Sequence, residues 1–349
     1  MVQPVVRIVG AVICACGLVS CQGFGILPPD QPAEGPGGSD YDHASVRTTV
    51  VGRGGEHVWI FEPASPSPQT APLILFGHGW TAINPKYHGG WIEHLVRRGN
   101  IIVYPRYQES IFTPSEEFLP NAIAALRTSI ELLQSDDHVS PDLDCFAVVG
   151  HSAGAALVVN LAAVAEREGL PAPKAIMAVE PAALRDVPRH GAPLEDLSQI
   201  PAQTLLLSVV GDRDTLVGDL DGKRIFNETT AIPLENKDYV VLVSDDHGSP
   251  ALIADHTAPL AYDEDYDVRS LHTGYLPELC PFLGLECSRR GIDALDYYGL
   301  WKLFDGLTDA AFYGINRHYA LGDTAEQRFM GRWSDGTPVN ELRVTDDPD

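Results

Sequence analysis

The stretch VVGHSAGAAL, residues 148–157, sets Ser152 between Gly150 and Gly154 directly after an apolar run. A serine hydroxyl attacks a carbonyl only when it stands clear of the backbone and a neighbouring base takes its proton. G-x-S-x-G between a strand and a helix meets the first condition. The backbone at such a serine is strained, and side chains two positions away on either side would collide, so glycine stands at both places. The segment AGAALVVNLAAVAEREG (153–169) then reads as a helix whose small first residues pack closely on a sheet. Its first N–H groups, that of Ala153 foremost, point back to where an oxyanion would form. The chemistry this suits is nucleophilic attack on an acyl carbon.

The elements around Ser152 alternate. VRTTVVGRGGEHVWIF (46–61) reads as a hairpin, and APLILFGHG (71–79), NIIVYP (100–105) and DCFAVVG (144–150) as buried strands. KAIMAVE (174–180), QTLLLSVVG (203–211) and DYVVLVS (238–244) continue the series. Between them, WIEHLVRRG (91–99) places Trp91, Ile92, Leu95 and Val96 on one helical face, with Gly99 at its end. Thr113, Pro114 and Glu116 form a capping-box start for a helix carrying Leu119, Ile123, Leu126, Ile130 and Leu133. Leu300, Leu303, Phe304, Leu307 and Ala311 mark a last helical face within 292–314. Strands apolar on both faces and separated by helices predict an α/β fold, a mostly parallel sheet covered on both sides.

Of the 349 residues 44% are hydrophobic, and the net charge of −24 repels nucleic acid and anionic membrane. Residues 1–21 differ from the rest: Arg7, no acid, and an apolar run Ile8 to Val19 too short to span a bilayer but suited to a signal-peptide core. The run ends in Leu18-Val19-Ser20-Cys21, which resembles the lipobox of bacterial lipoproteins. That resemblance implies a lipidated Cys21 and an exported protein held at the cell envelope, touching membrane through its anchor alone. Residues 22–45, rich in Gly, Pro and Asp, read as a flexible tether, and 46–349 as the domain. Cys280 and Cys287 bracket CPFLGLEC and are candidates for a disulfide in an exported chain, whereas Cys145 reads as a buried thiol. DEDYD (263–267) resembles a calcium loop but has Val268 in the glycine place and Gly274 in the glutamate place. It reads as a solvated acidic loop, and neither metal nor cofactor is expected.

The strand–GHSAG–helix pattern resembles the α/β-hydrolase superfamily over nearly all of residues 46–320, most closely its chlorophyllase-like and polyester-hydrolase-like branch. The family order of nucleophile, acid and histidine then implies roles. Asp214 in VVGDRDTLV is the implied acid, with Asp212 and Asp219 as alternatives. His247 in VLVSDDHGSP is the implied base, flanked by Asp245 and Asp246 as solvated loop acids; His256, His272 and His318 come later and do not directly follow a strand. FGHGW implies the N–H of Trp80 as second oxyanion donor beside Ala153, while YHGGW (87–91) is a decoy at a helix start. The long stretch 248–291 is either a lid or an edge insertion. The implied activity is carboxylic-ester hydrolysis through an acyl-enzyme without a cofactor. Acyl transfer to an envelope acceptor and a non-catalytic binding lipoprotein are the alternatives.

Overall fold

The computed structural model describes residues 25–183, 193–268 and 291–349. The leader with Cys21, and the pair Cys280 and Cys287, lie outside these residues. Among the described residues nine strands form one sheet: β1 Ser45–Val51, β2 Val58–Ala64, β3 Thr70–Gly77, β4 Ile101–Pro105, β5 Ser140–His151, β6 Ala175–Val179, β7 Leu205–Gly211, β8 Lys237–Leu242 and β9 Arg343–Thr345. Their spatial order is β1-β2-β4-β3-β5-β6-β7-β8-β9. From β4 across to β8 all neighbours run parallel; β1, β2 and β9 are antiparallel additions at the edges.

Alternation along the strands sorts side chains to two cores. Ile74, Phe76, Ala147, Val149 and Met177 face a core that includes Trp91 of α1 (Gly89–Arg97) and Phe304 of α5 (Lys302–Tyr313). Leu73, Leu75, Phe146, Val148 and Ile176 face the other. Leu126 of α2 (Phe118–Leu133), Val158 of α3 (Ala153–Val164) and Ile225 of α4 (Leu220–Glu228) cover that side. A buried Leu, Ile or Phe contributes about 1.5–3 kcal/mol, so strands apolar on both faces are stable only between two such layers.

Two expectations change. The capping box at Thr113 does not form: Pro114 leads into a 3₁₀ turn, Ser115–Glu117, and α2 starts at Phe118 with no side-chain cap. Thr113 Oγ1 instead accepts from the Ser110 N–H at 3.0 Å, closing a turn of its own. The expected tether is packed on the domain from Gly25 onward. Gly37 N–H donates to buried Asp305 at 2.7 Å, Leu27 N–H to Ser334 Oγ at 2.9 Å, and Ser249 N–H to Ile26 O at 2.8 Å. Gly37 has φ +78° and lies where a Cβ would stand 2.2 Å from Tyr297 O. Glycine there serves close approach, a use that composition does not distinguish from flexibility.

Candidate active site

β5 ends at His151 and α3 begins at Ala153, so Ser152 is the whole connection. Its φ of +57° and ψ of −123° are costly for a residue with a side chain. The turn is held from both sides: Ser152 N–H donates to Val179 O at 2.9 Å, and its carbonyl accepts from Ala155 N–H and Ala182 N–H, each at 3.0 Å. A Cβ on Gly150 would lie 2.3 Å from Gly154 O, inside the turn itself. A Cβ on Gly154 would lie 2.2 Å from Gly77 O and 2.3 Å from His78 O, in the backbone leaving β3. The two glycines therefore solve different problems, one closing the turn and one letting α3 touch β3.

Asp214 stands on the loop after β7. Its Oδ1 accepts from Leu216 N–H at 2.9 Å and Val217 N–H at 3.1 Å, which leaves Oδ2 aimed at an imidazole. That imidazole is His256. Its Nδ1 lies 2.8 Å from Asp214 Oδ2 and its Nε2 lies 2.9 Å from Ser152 Oγ. Facing a carboxylate, Nδ1 carries the proton, so Nε2 accepts from the serine hydroxyl. Ser152 and His256 are both nearly buried, at 7% and 9% exposure, and Asp214 is buried too. Asp212, the alternative acid, is engaged elsewhere, where its Oδ1 accepts from both Ser244 N–H and Ser244 Oγ–H.

The structure does not bring His247 to the serine. After β8 the chain makes a short excursion, closed by mutual backbone bonds between Asp245 and Leu252 of 2.7 and 2.9 Å. His247 sits on that excursion with Nε2 2.8 Å from Asp335 Oδ2. Asp245 is not a solvated acid: it is buried and accepts from His247 N–H, Trp333 Nε1–H and Asn340 N–H. Asp246 is exposed and pairs with Arg213. Past Leu252 the chain returns to the sheet end, where Ala254 O accepts from Arg213 N–H at 2.9 Å. Gly211 makes room, since a Cβ there would stand 2.3 Å from Ala254 O. Two residues later the chain reaches His256. The first part of 248–291 therefore carries the imidazole. Leu252, Ala254, His256 and Ala258 alternate as buried positions, a pattern that the sequence hides because Ala251 and Ile253 between them are apolar as well.

The loop after β3 closes the other side. A Cβ on Gly79 would lie 3.4 Å from Ser152 Cβ, so this loop touches the elbow. Tyr107 Oη–H donates to His78 O at 2.6 Å, and Thr81 N–H donates to Gln108 Oε1 at 2.8 Å. Trp80 lies between these anchors and packs beside Tyr107, Phe118 and Leu157. The YHGGW histidine, His88, is wholly buried under the site, its ring centroid 5.7 Å from that of His151. In DEDYD, Asp263 accepts from Asp265 N–H, Glu264 from Tyr262 Oη–H, and Asp267 pairs with Lys86 at 3.2 Å.

His151, Glu180 and His256 each offer an atom within 4.8 Å of the others, which is metal-ligand spacing. Their protons argue against a metal. His151 Nε2 faces the His256 carbonyl at 3.0 Å and must donate, and His256 Nδ1 donates to Asp214. Neither nitrogen presents a lone pair to the centre of the group.

Burial pushes the histidines beneath the site down, His78 to about 4 and His88 to about 3, with His78 adding a smaller charge effect on His88. Both are neutral in the folded protein, while the unfolded chain takes up protons near pH 6.5. Stability is thus full above pH 6.5 and is lost as the pH falls toward 4 and 3, by ~1.4 kcal/mol per pH unit for each histidine. Urea unfolding at pH 7, 6 and 5 should show this fall, with a shallower slope in His88→Leu. An unchanged slope in that variant would contradict the assignment. The thiol of Cys145, buried midway along β5, is pushed up to about 11 by burial first and Asp142 second, which keeps it a neutral thiol.

Residues 73–210 match a family described as having the alpha/beta hydrolase fold. No curated protein matches the chain in sequence. Among solved structures, one from a study of two esterases of Rhizomucor miehei aligns at 18% identity and a TM-score of 0.47, over 65% of this chain and 81% of that one. A variant of the esterase rPPE aligns at 15% identity and a TM-score of 0.44, over 58% and 73%. With the parallel order β4-β3-β5-β6-β7-β8, a serine at the β5–α3 turn and this family match, the chain has the α/β-hydrolase fold.

Proposed function

We propose that the protein is a serine hydrolase that cleaves carboxylic esters through an acyl-enzyme. The observation that carries this reading is the line of two hydrogen bonds from Ser152 through His256 to Asp214, at 2.9 and 2.8 Å, on a strained elbow. His256 takes the hydroxyl proton as Oγ attacks the carbonyl carbon, and Asp214 holds the resulting imidazolium. The oxyanion falls to the N–H groups of Ala153 and Trp80. Support for them is the start of α3 at Ala153, whose N–H precedes the first intrahelical acceptor, and the packing of Gly79 on Ser152. His256 then returns its proton to the leaving alkoxide. Water repeats the sequence on the acyl-enzyme and frees the serine. Lipidation at Cys21 remains what the leader sequence suggests.

Hydrolysis of p-nitrophenyl esters from acetate to palmitate tests the reading. The protein is expected to turn over at least one of them, and Ser152→Ala to lose about 10⁴-fold or more of kcat/KM. A folded protein inactive on the whole series, or a Ser152→Ala variant as active as its parent, would contradict it.

A further inference from the structure

His256 is faced by two carboxylates. Asp214 comes from the end of β7, and Glu180 from the end of the adjacent strand β6, which runs parallel in the register Val179↔Val209. Glu180 is fully buried, with one oxygen 3.6 Å from His256 Nδ1 and 3.5 Å from His151 Nε2. The local structure is built to hold it there. Glu180 has φ +45°, a conformation disfavoured for a long side chain, and its N–H is tied to Val209 O at 2.7 Å. Gly211 leaves space for its carboxylate, since a Cβ there would lie 2.8 Å from Oε1. His151 completes the arrangement: Nε2–H donates to the His256 carbonyl at 3.0 Å, fixing the backbone that carries the base.

Among the described residues, the groups that face His256 are therefore Ser152, Asp214, Glu180 and His151, with His88 behind His151. A distance of 3.6 Å is too long for a hydrogen bond but well within the range where an opposite charge favours imidazolium. Asp214 holds the hydrogen bond in the resting protein. Glu180 adds charge at the same nitrogen and needs only a small ring or side-chain movement to accept its proton.

We propose that Glu180 is a second carboxylate partner of His256, a positioning residue that stabilises the imidazolium together with Asp214 and takes over Nδ1 when Asp214 is neutralised. The proposal deepens the serine-hydrolase reading and rests on it.

The test is the pH dependence of p-nitrophenyl acetate hydrolysis by the full chain, Ser152→Ala, Glu180→Gln, Glu180→Asp, Asp214→Asn and the Asp214→Asn/Glu180→Gln double variant. Glu180→Gln should lower kcat/KM about tenfold and move the acid limb down by about one pH unit, because removing a negative charge makes the imidazolium easier to deprotonate. Glu180→Asp keeps the charge and should leave the limb nearly in place, which also serves if the glutamine variant does not fold. Asp214→Asn should lose only about 10²-fold, less than the ~10⁴ of a triad with a single acid. The double variant should fall a further hundredfold or so, beyond the product of the single losses, because the reserve carboxylate has gone as well. The proposal is overturned if Glu180→Gln keeps the parent's pH profile, or if the double variant equals Asp214→Asn. Equal rate losses in Glu180→Gln and Glu180→Asp with no change of limb would show a merely structural role and overturn it too. Full activity in Ser152→Ala would remove the underlying reading instead, and the two failures are thus separable.

Discussion

His256→Ala is expected to lower kcat/KM for a p-nitrophenyl ester by about 10⁴-fold or more, while His247→Ala stays within about threefold of the parent. The contrast follows from where the two rings sit. His256 Nε2 is 2.9 Å from the serine oxygen and Nδ1 is 2.8 Å from Asp214. His247 is engaged by Asp335 and lies tilted beside Trp333, with ring centroids 5.8 Å apart. Its loss should cost only part of an exposed ion pair, which contributes about 0–1 kcal/mol. Steady-state rates on the two purified variants decide the matter. Comparable losses in both would mean that the excursion after β8 holds the chain otherwise than described. A large loss in His247→Ala alone would return the base to His247.

Gly154→Ala is expected to be the most damaging single-methyl addition in the elbow. Its Cβ would meet Gly77 O at 2.2 Å, Gly77 C at 2.3 Å and His78 O at 2.3 Å. All three are backbone atoms of β3 and the loop after it, with no flexible side chain to yield. Either α3 lifts away from the sheet or the loop carrying Trp80 shifts. A lifted helix opens gaps around Val158 and Leu161, both fully buried. A shifted loop moves a proposed oxyanion donor, and one such donor is worth about 10²–10³ in rate. The variant should therefore lose at least about 10²-fold in kcat/KM or about 3 kcal/mol of stability, and it should not escape both. Thermal or urea unfolding together with the ester assay reads the two outcomes. Parent-like values for both would show that α3 and β3 do not approach as closely as the glycines indicate.

Legibility of the site in the sequence was uneven, for physical reasons. Ser152 was legible because a tight turn between strand and helix forces short-range choices, with glycines two residues away on each side. Asp214 is implied by a family order, and its geometry rests on local bonds to Leu216 and Val217 that a short motif can encode. The proposed base was not legible. Its position depends on where the chain goes after β8, and the excursion there is fixed by distant residues: Trp333, Asp335, Asn340 and Ile26. Gly248 shows how tightly, since a Cβ there would stand 2.3 Å from the Trp333 ring. No local pattern around residue 247 reports contacts made so far along the chain. The same limit explains the segment from Gly25 to Ala44, whose Gly, Pro and Asp content reads as a tether until Asp305, Ser334 and Tyr297 are placed beside it. Sheet and helices were the most legible part, because a period of two or 3.6 in apolar residues is written along the chain itself.

Ser152 is the proposed nucleophile, activated by His256. The most direct measurement is labelling of the folded protein with a fluorophosphonate, which forms a stable bond to an activated serine oxygen, followed by mass spectrometry of the intact chain and its peptides. One adduct per chain is expected, located on Ser152, absent from Ser152→Ala and formed far more slowly in His256→Ala than in His247→Ala. An adduct on another residue, or labelling that persists unchanged in Ser152→Ala, would contradict that claim.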